Sequence, residues 1–131
     1  MLKNFDAYQL AKQFYQECKP LRVPRFLQDQ LLRASSSVVL NLAEGSGKRT
    51  FEDQRRFYSI AFGSLRECRA ILEMEQIEDP GINQLADQLS AILYVLSRKT
   101  SAKTPKTGLK NQTDSDTDSA TLHRNLLSLQ D

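Results

Sequence analysis

Apolar residues recur every three or four positions along the first hundred residues, and this helical spacing constrains the fold more than any other feature. No segment shows the alternation of apolar and polar residues that is typical of a half-buried strand. The first predicted helix runs from about Asn4 to Cys18 and ends before Pro20. Its apolar stripe consists of Phe5, Tyr8, Ala11, Phe14 or Tyr15, and Cys18. The sequence therefore predicts an all-α protein.

The stretch EGSGKRT, residues 44–50, looks at first sight like a phosphate-binding loop. A Walker A loop has a glycine five positions before its Gly-Lys pair and Ser or Thr directly after the lysine, but Leu42 and Arg49 occupy those positions. The preceding residues have helical rather than strand spacing, and they predict a second helix from near Arg25 to Glu44. Gly45 can close that helix in the left-handed conformation. We therefore interpret residues 45–49 as a turn between two helices.

Capping residues predict where the third and fourth helices begin. Thr50 is followed three residues later by Asp53, which is typical of a helix N-terminus, and a long third helix is expected from there to about residue 77. Asp79 and Pro80 then begin a fourth helix, with proline at its first helical position. The apolar stripe of the fourth helix is Ile82, Leu85, Leu89, Ile92 or Leu93, and Leu96.

Short connections between long amphipathic helices make neighbours antiparallel, so residues 1–99 are predicted to form an up-down-up-down four-helix bundle. Residues 100–131 are rich in Ser, Thr and Asp and are predicted to be a disordered tail. The end of this tail, TLHRNLLSLQD, has Leu122, Leu126 and Leu129 at helical spacing. It is either a short docking helix or a solvated, fraying end.

The third predicted helix has more apolar residues than one bundle interior can receive. They are Phe51, Phe57, Tyr58, Ile60, Ala61, Phe62, Leu65, Ile71 and Leu72. A second apolar face on a helix is typical of a subunit interface, so a homo-oligomer is expected. None of the aromatic residues is expected to be clearly exposed for stacking on nucleic-acid bases.

The sequence offers no pattern for a metal site or a Cys-His catalytic pair. Cys18 and Cys68 stand alone, and the single histidine, His123, lies in the polar tail. Both cysteines are expected to be reduced core residues, and no cofactor is expected. No stretch is apolar enough to cross a membrane and no signal peptide is recognisable, so a cytoplasmic location is expected.

Charge is distributed unevenly along the chain. Residues 19–69 contain ten Lys and Arg against five Asp and Glu, whereas residues 70–100 contain two against five. Three groups of basic residues are candidates for nucleic-acid binding. They are Lys48, Arg49, Arg55 and Arg56, at the turn between the second and third helices and in the first turns of the third helix; Lys19, Arg22 and Arg25 in the connector between the first and second helices; and Arg66 and Arg69 further along the third helix. In a monomer these would be ordinary solvated charges; in a ring, each exposed charge would repeat around the axis and could hold a phosphate backbone.

A group of polar residues shares one face of the second helix. Ser37, Asn41 and Glu44 are spaced at i, i+4 and i+7, and the face adjoins apolar positions. The interpretation we favour is a buried polar ladder that fixes helix register, completed by Ser64 or Arg33, with Glu44 paired. A catalytic pair of Asn41 and Glu44 is the alternative, but no nucleophile, metal or second carboxylate accompanies it.

Residues 30–72 contain a distinctive set of motifs: Arg33-Ala34, Ser37, Asn41-Leu42-Ala43-Glu44-Gly45, Phe57, Ile60-Ala61, Gly63-Ser64-Leu65 and Glu67. With these residues the stretch resembles the core of the four-helix-bundle proteins encoded within bacterial 23S rRNA intervening sequences. Cys68 departs from the pattern, which commonly has a Leu-type residue at that position. The resemblance is weaker over the first helix and does not include the tail.

The resemblance implies a homopentamer of four-helix protomers without established enzymatic activity. A related branch, the accessory variability proteins of diversity-generating retroelements, is similar in fold and binds both a reverse transcriptase and its RNA. Two hypotheses therefore stand. The first is a non-enzymatic, RNA-associated oligomer that binds structured RNA, in one form as an accessory to a reverse transcriptase. The second is a protein-interaction scaffold without nucleic-acid binding.

Overall fold

The computed structural model describes residues 6–98, which form four α-helices and no strand. The helices are α1 (Asp6–Cys18), α2 (Arg25–Ser46), α3 (Phe51–Met74) and α4 (Pro80–Arg98). Each helix packs against the next one in the chain, and α1 closes the arrangement by packing against α4. This arrangement confirms the all-α four-helix prediction. Asn4 and Phe5, and the predictions for residues 99–131, lie outside the described residues.

Local capping chemistry explains the helix starts. The Thr50 side chain accepts a hydrogen bond from the Asp53 backbone N–H at 3.1 Å, and Asp79 Oδ1 accepts one from the Ile82 N–H at 3.1 Å. Each side chain therefore satisfies a backbone donor that has no partner within the first helical turn. The predicted starts of α3 and α4 are confirmed.

The predicted end of α2 is wrong. Gly45 is not left-handed; it remains inside the helix, which continues to Ser46. The reason is packing, because a Cβ atom at Gly45 would lie 2.7 Å from Tyr58 Cε1 and 3.1 Å from Phe57 Cβ. The glycine allows α3 to approach α2 closely.

The left-handed residue is instead Gln76, with φ 55°, after the end of α3. The Gln76 N–H donates to the Glu73 carbonyl at 3.0 Å and the Ile77 N–H to the Leu72 carbonyl at 2.9 Å. This pair of bonds is the Schellman arrangement that satisfies the last carbonyls of a helix. Consequently α3 ends at Met74, three residues before the predicted end.

The core lies between the four helices and consists of their inward stripes. Its largest fully buried apolar side chains are Phe14, Leu31, Val38, Leu42, Leu65, Ile82, Leu89 and Leu93. Cys18 and Cys68 are buried in the same core as free thiols. No helix in residues 6–98 has the length and apolar content needed to cross a membrane.

Candidate nucleic-acid interface

Three of the five predicted ladder residues form a hydrogen-bonded group between α2 and α3. Ser37 Oγ and Ser64 Oγ lie 2.8 Å apart, and Asn41 Nδ2 donates to the Ser37 carbonyl at 2.9 Å and to Ser37 Oγ at 3.0 Å. All three residues are half-buried rather than buried. Because the two serines sit on antiparallel neighbours, their contact places residue 37 of α2 level with residue 64 of α3.

Glu44 and Arg33 do not belong to this group. Both are exposed, and the Glu44 carboxylate pairs with Lys48 Nζ at 3.2 Å, one turn further along the chain. The predicted buried carboxylate is therefore wrong: its position on α2 points outward, where water already solvates it. An exposed pair of this spacing stabilises a helix by only about 0.3–0.5 kcal/mol.

Arg69 is a structural residue rather than a free cation. Its guanidinium donates to Asp87 Oδ1 at 2.6 Å and to Ser90 Oγ at 3.0 Å, and only 18% of its side chain is exposed. These bonds join α3 to α4 and leave the charge compensated. We therefore remove Arg69 from the candidate nucleic-acid surface, whereas Arg66 remains exposed on α3.

The cations of the α2–α3 turn and of the start of α3 lie at one end of the bundle, which we call the basic end. This end is formed by the start of α1, the turn at residues 47–50 and the end of α4. It contains Lys48, Arg49, Arg55, Arg56 and also Arg98. Arg98 was missed from the sequence because only the antiparallel course of α4 brings its C-terminus to this end.

Aromatic rings organise several of these cations. Lys48 Nζ lies 5.1 Å and the Arg56 guanidinium carbon 5.3 Å from the centre of the Phe57 ring. The Arg98 guanidinium carbon lies 4.8 Å from the Tyr94 ring centre. Such contacts hold a cation over an aromatic ring while leaving its outer side open to an anion.

The opposite end, which we call the mixed end, carries Lys19, Arg22 and Arg25. All three are exposed, and none has an ion pair with any residue in the range 6–98. The same end, however, holds the carboxylates of the α3–α4 connection and its neighbours: Glu17, Asp29, Glu73, Glu75, Glu78 and Asp79. These acidic residues outnumber the cations and make the mixed end less favourable for a polyanion.

Two phenylalanines are more exposed than the sequence predicted. Phe26 is 72% exposed at the mixed end, and Phe51 is 37% exposed at the basic end beside Arg49. The expectation that no aromatic residue is available for base stacking is therefore wrong. Phe51 escapes burial because it is the first residue of α3, where the neighbouring helices do not cover it.

The structure offers little to the catalytic alternative. The Asn41 amide donates within its own helix and Glu44 is paired with a lysine. Burial raises the pKa of the Cys18 thiol to about 12 and that of Cys68 still further, so neither is a ready nucleophile. Within residues 6–98, no group of three His, Cys, Asp or Glu side chains is placed to hold a metal ion.

A family model described as 23S rRNA-intervening sequence protein matches residues 3–79 of the chain. The match spans α1, α2 and α3 and stops just before α4. It contains the whole stretch, residues 30–72, on which the sequence resemblance rests. No curated protein and no solved structure matches the chain.

Proposed function

The chain belongs to the 23S rRNA-intervening sequence protein family, and from this premise we propose that it is a non-enzymatic homo-oligomer that binds structured RNA. The family description supports an association with RNA. The observation that carries the proposal is the basic end, where cations from the 47–50 turn, α3 and α4 converge. Repetition of this end around a symmetry axis would present a belt of charge to a phosphate backbone.

The ion pairs at the basic end do not prevent RNA binding. The Lys48–Glu44 pair is 3.2 Å long and the Arg56–Asp53 pair is 3.8 Å, with both cationic side chains at least one-third exposed. Surface pairs of this kind contribute about 0–1 kcal/mol, so phosphate oxygens can replace the carboxylates. Arg49 is exposed and has no ion pair with a described residue, which makes it the first contact we expect.

Arg55 offers a further anchor for a phosphate. Its Nε atom is buried and has no hydrogen-bond partner among the described residues. An RNA phosphate cannot reach that buried atom, so a phosphate contact of Arg55 would fall to the terminal nitrogens of its half-buried guanidinium, for which a phosphate oxygen is a strong acceptor. We therefore assign Arg55 to the RNA contact together with Lys48, Arg49, Arg56 and Arg98.

The proposal has three further parts, of which the number of subunits and the accessory role rest on the resemblance. The assembly has five subunits, the protein acts in the cytoplasm, and in one form of the proposal it assists the reverse transcriptase of a diversity-generating retroelement. Free buried thiols at Cys18 and Cys68 support a reducing compartment. A reverse-transcriptase gene beside the coding sequence would support the accessory role. A coding sequence located within an rRNA gene would instead support the branch encoded within 23S rRNA intervening sequences.

The proposal is tested by replacing Lys48, Arg49, Arg55 and Arg56 together with Gln and measuring affinity for a structured RNA over a range of salt concentrations. Binding should weaken, and the slope of log affinity against log salt should flatten by up to about three units if all four side chains contact phosphates. Unrelated RNA of the same length should respond equally, because phosphate contacts carry no base information.

The matched control replaces Lys19, Arg22 and Arg25 with Gln at the mixed end. This variant should keep the parent's salt slope to within about one unit. If the quadruple variant kept its fold and mass and had the same salt slope as the parent, the RNA surface would lie at the mixed end instead. If the parent bound no RNA at low salt, the RNA proposal would be refuted and the protein-interaction scaffold would take its place. The exposed apolar residues of α2 and α3 favour that alternative.

A further inference from the structure

Within residues 6–98 six large apolar residues are exposed, and four of them lie on the outer side of α2 and α3. Phe26, Arg33 and Leu40 are spaced seven residues apart on α2 and therefore share one side of that helix. Ile60, Glu67 and Met74 repeat the same spacing on α3. We call the surface formed by these six residues the α2–α3 face.

The contact between Ser37 and Ser64 sets the register of the α2–α3 face. Counting along the antiparallel helices from this contact brings Phe26 to within one residue of the level of Met74, and Leu40 to within one residue of the level of Ile60. The face thus has an apolar pair at each end, about 21 Å apart at 1.5 Å per residue. Arg33 and Glu67 lie level with each other at its centre.

Small residues lie between the two helices, near the Leu40–Ile60 end of the α2–α3 face. Ser37 and Ser64 are joined there, and Gly63 is exposed beside them. A Cβ atom at Gly63 would meet nothing within 4 Å. The protomer therefore has no packing need for glycine at this position, where alanine would make the helix about 1 kcal/mol more stable. Close approach of another backbone would supply a reason for glycine there.

From these observations, and resting on the proposed oligomer, we propose that the α2–α3 face is the surface on which a second copy of this chain docks. Its apolar pairs lie too far apart for a peptide of one or two helical turns, whereas a helix of another bundle is long enough to cover both. One exposed cation and one exposed anion at the centre suit a protein surface of mixed charge. RNA is disfavoured there because Glu67 would face a phosphate.

The test uses Gly63→Leu in the full chain and measures mass by sedimentation and light scattering across a dilution series. No atom lies within 4 Å of a Cβ atom at this exposed position, so the helical spectrum should match that of the parent. In the assembly the added side chain would obstruct the neighbour, and the subunit dissociation constant should rise by at least about tenfold. Leu40→Gln should have the same effect because it removes one apolar contact.

Val95→Gln is the matched control, since Val95 is 61% exposed and Leu40 is 65% exposed, but Val95 lies on α4. It should leave the dissociation constant unchanged. If the parent is oligomeric and its Gly63→Leu and Leu40→Gln variants assemble equally well, the interface lies elsewhere. That result would overturn this inference but not the proposed oligomer. An equal loss in Val95→Gln would also overturn the inference.

A parent that stays monomeric at every concentration would refute the proposed oligomer as well. If, in that monomer, amide exchange around Gly63 were slow until residues 101–131 were removed, the chain's own tail would occupy the face. RNA binding is measured separately on the parent, so failure of the RNA proposal is read independently of subunit mass.

Discussion

Gly45→Ala should destabilise the protein although it replaces a glycine within a helix. The new Cβ atom would lie 2.7 Å and 3.0 Å from two carbons of the Tyr58 ring and 3.1 Å from Phe57 Cβ. Tyr58 is only 6% exposed and the Phe57 atom adjoins its backbone, so neither can move aside freely. Overpacking of this kind costs about 1–3 kcal/mol, and the gain in helix propensity offsets about 1 kcal/mol. We expect a net loss of about 1 kcal/mol and at most about 2 kcal/mol.

Gly63→Ala is the matched control, because it makes the same chemical change within a helix where no atom lies within 4 Å of the new Cβ. The free energy of unfolding should rise by about 1 kcal/mol. Urea unfolding followed by circular dichroism measures both values, at a protein concentration where parent and variants have the same mass, since association adds to apparent stability. If Gly45→Ala were stabilised as much as Gly63→Ala, the close packing of α2 on α3 would be refuted.

Four further predictions concern single groups. Thr50→Ala should lower the free energy of unfolding by about 1 kcal/mol through loss of the cap on α3, and an unchanged urea midpoint would contradict it. Gln76→Gly should raise the free energy of unfolding by up to about 1 kcal/mol, since glycine adopts the left-handed conformation without a Cβ clash; a lower urea midpoint would contradict the Schellman turn. Asn41→Ala should cost about 1 kcal/mol through two lost hydrogen bonds, again measured by urea unfolding. Burial raises the pKa of Cys18 from 9.0 to about 12, so stability present below pH 9 should decline as the pH rises toward 12, and a flat profile of unfolding free energy would refute this.

The helix starts could be predicted from the sequence because their causes are local. Thr50 and Asp79 bond to backbone groups three residues away, and no other part of the chain is needed for those bonds. The helix ends could not be predicted in the same way. Gly45 continues its helix because Tyr58 packs on it from α3, and the left-handed position falls to Gln76 instead. Tertiary packing, rather than the local conformational preference of glycine, therefore determines which residue adopts the left-handed conformation.

The candidate site was less predictable, because a charge pattern does not show which charges pair. Arg69 finds Asp87 eighteen residues further along the chain, and Arg98 reaches the basic end only through the course of α4. Glu44 has the spacing of a ladder residue, yet the rotation of α2 turns it outward. Periodicity assigns residues to a face, but only the arrangement of neighbouring helices decides whether that face is covered.

The motif shared with the 23S rRNA-intervening sequence proteins separates into two parts in the structure. Leu42, Gly45 and Leu65 are buried, and they account for the close packing of α2 on α3. Ile60, Gly63, Ser64 and Glu67 lie on or beside the α2–α3 face, where Ile60 is 47% exposed and Gly63 meets nothing. Ser64 bonds Ser37 of α2, but the protomer's own core does not require the residue types at Ile60, Gly63 and Glu67. If the second part of the motif serves association, substitutions there should change subunit mass while leaving the helical spectrum intact, whereas substitutions in the first part should change both.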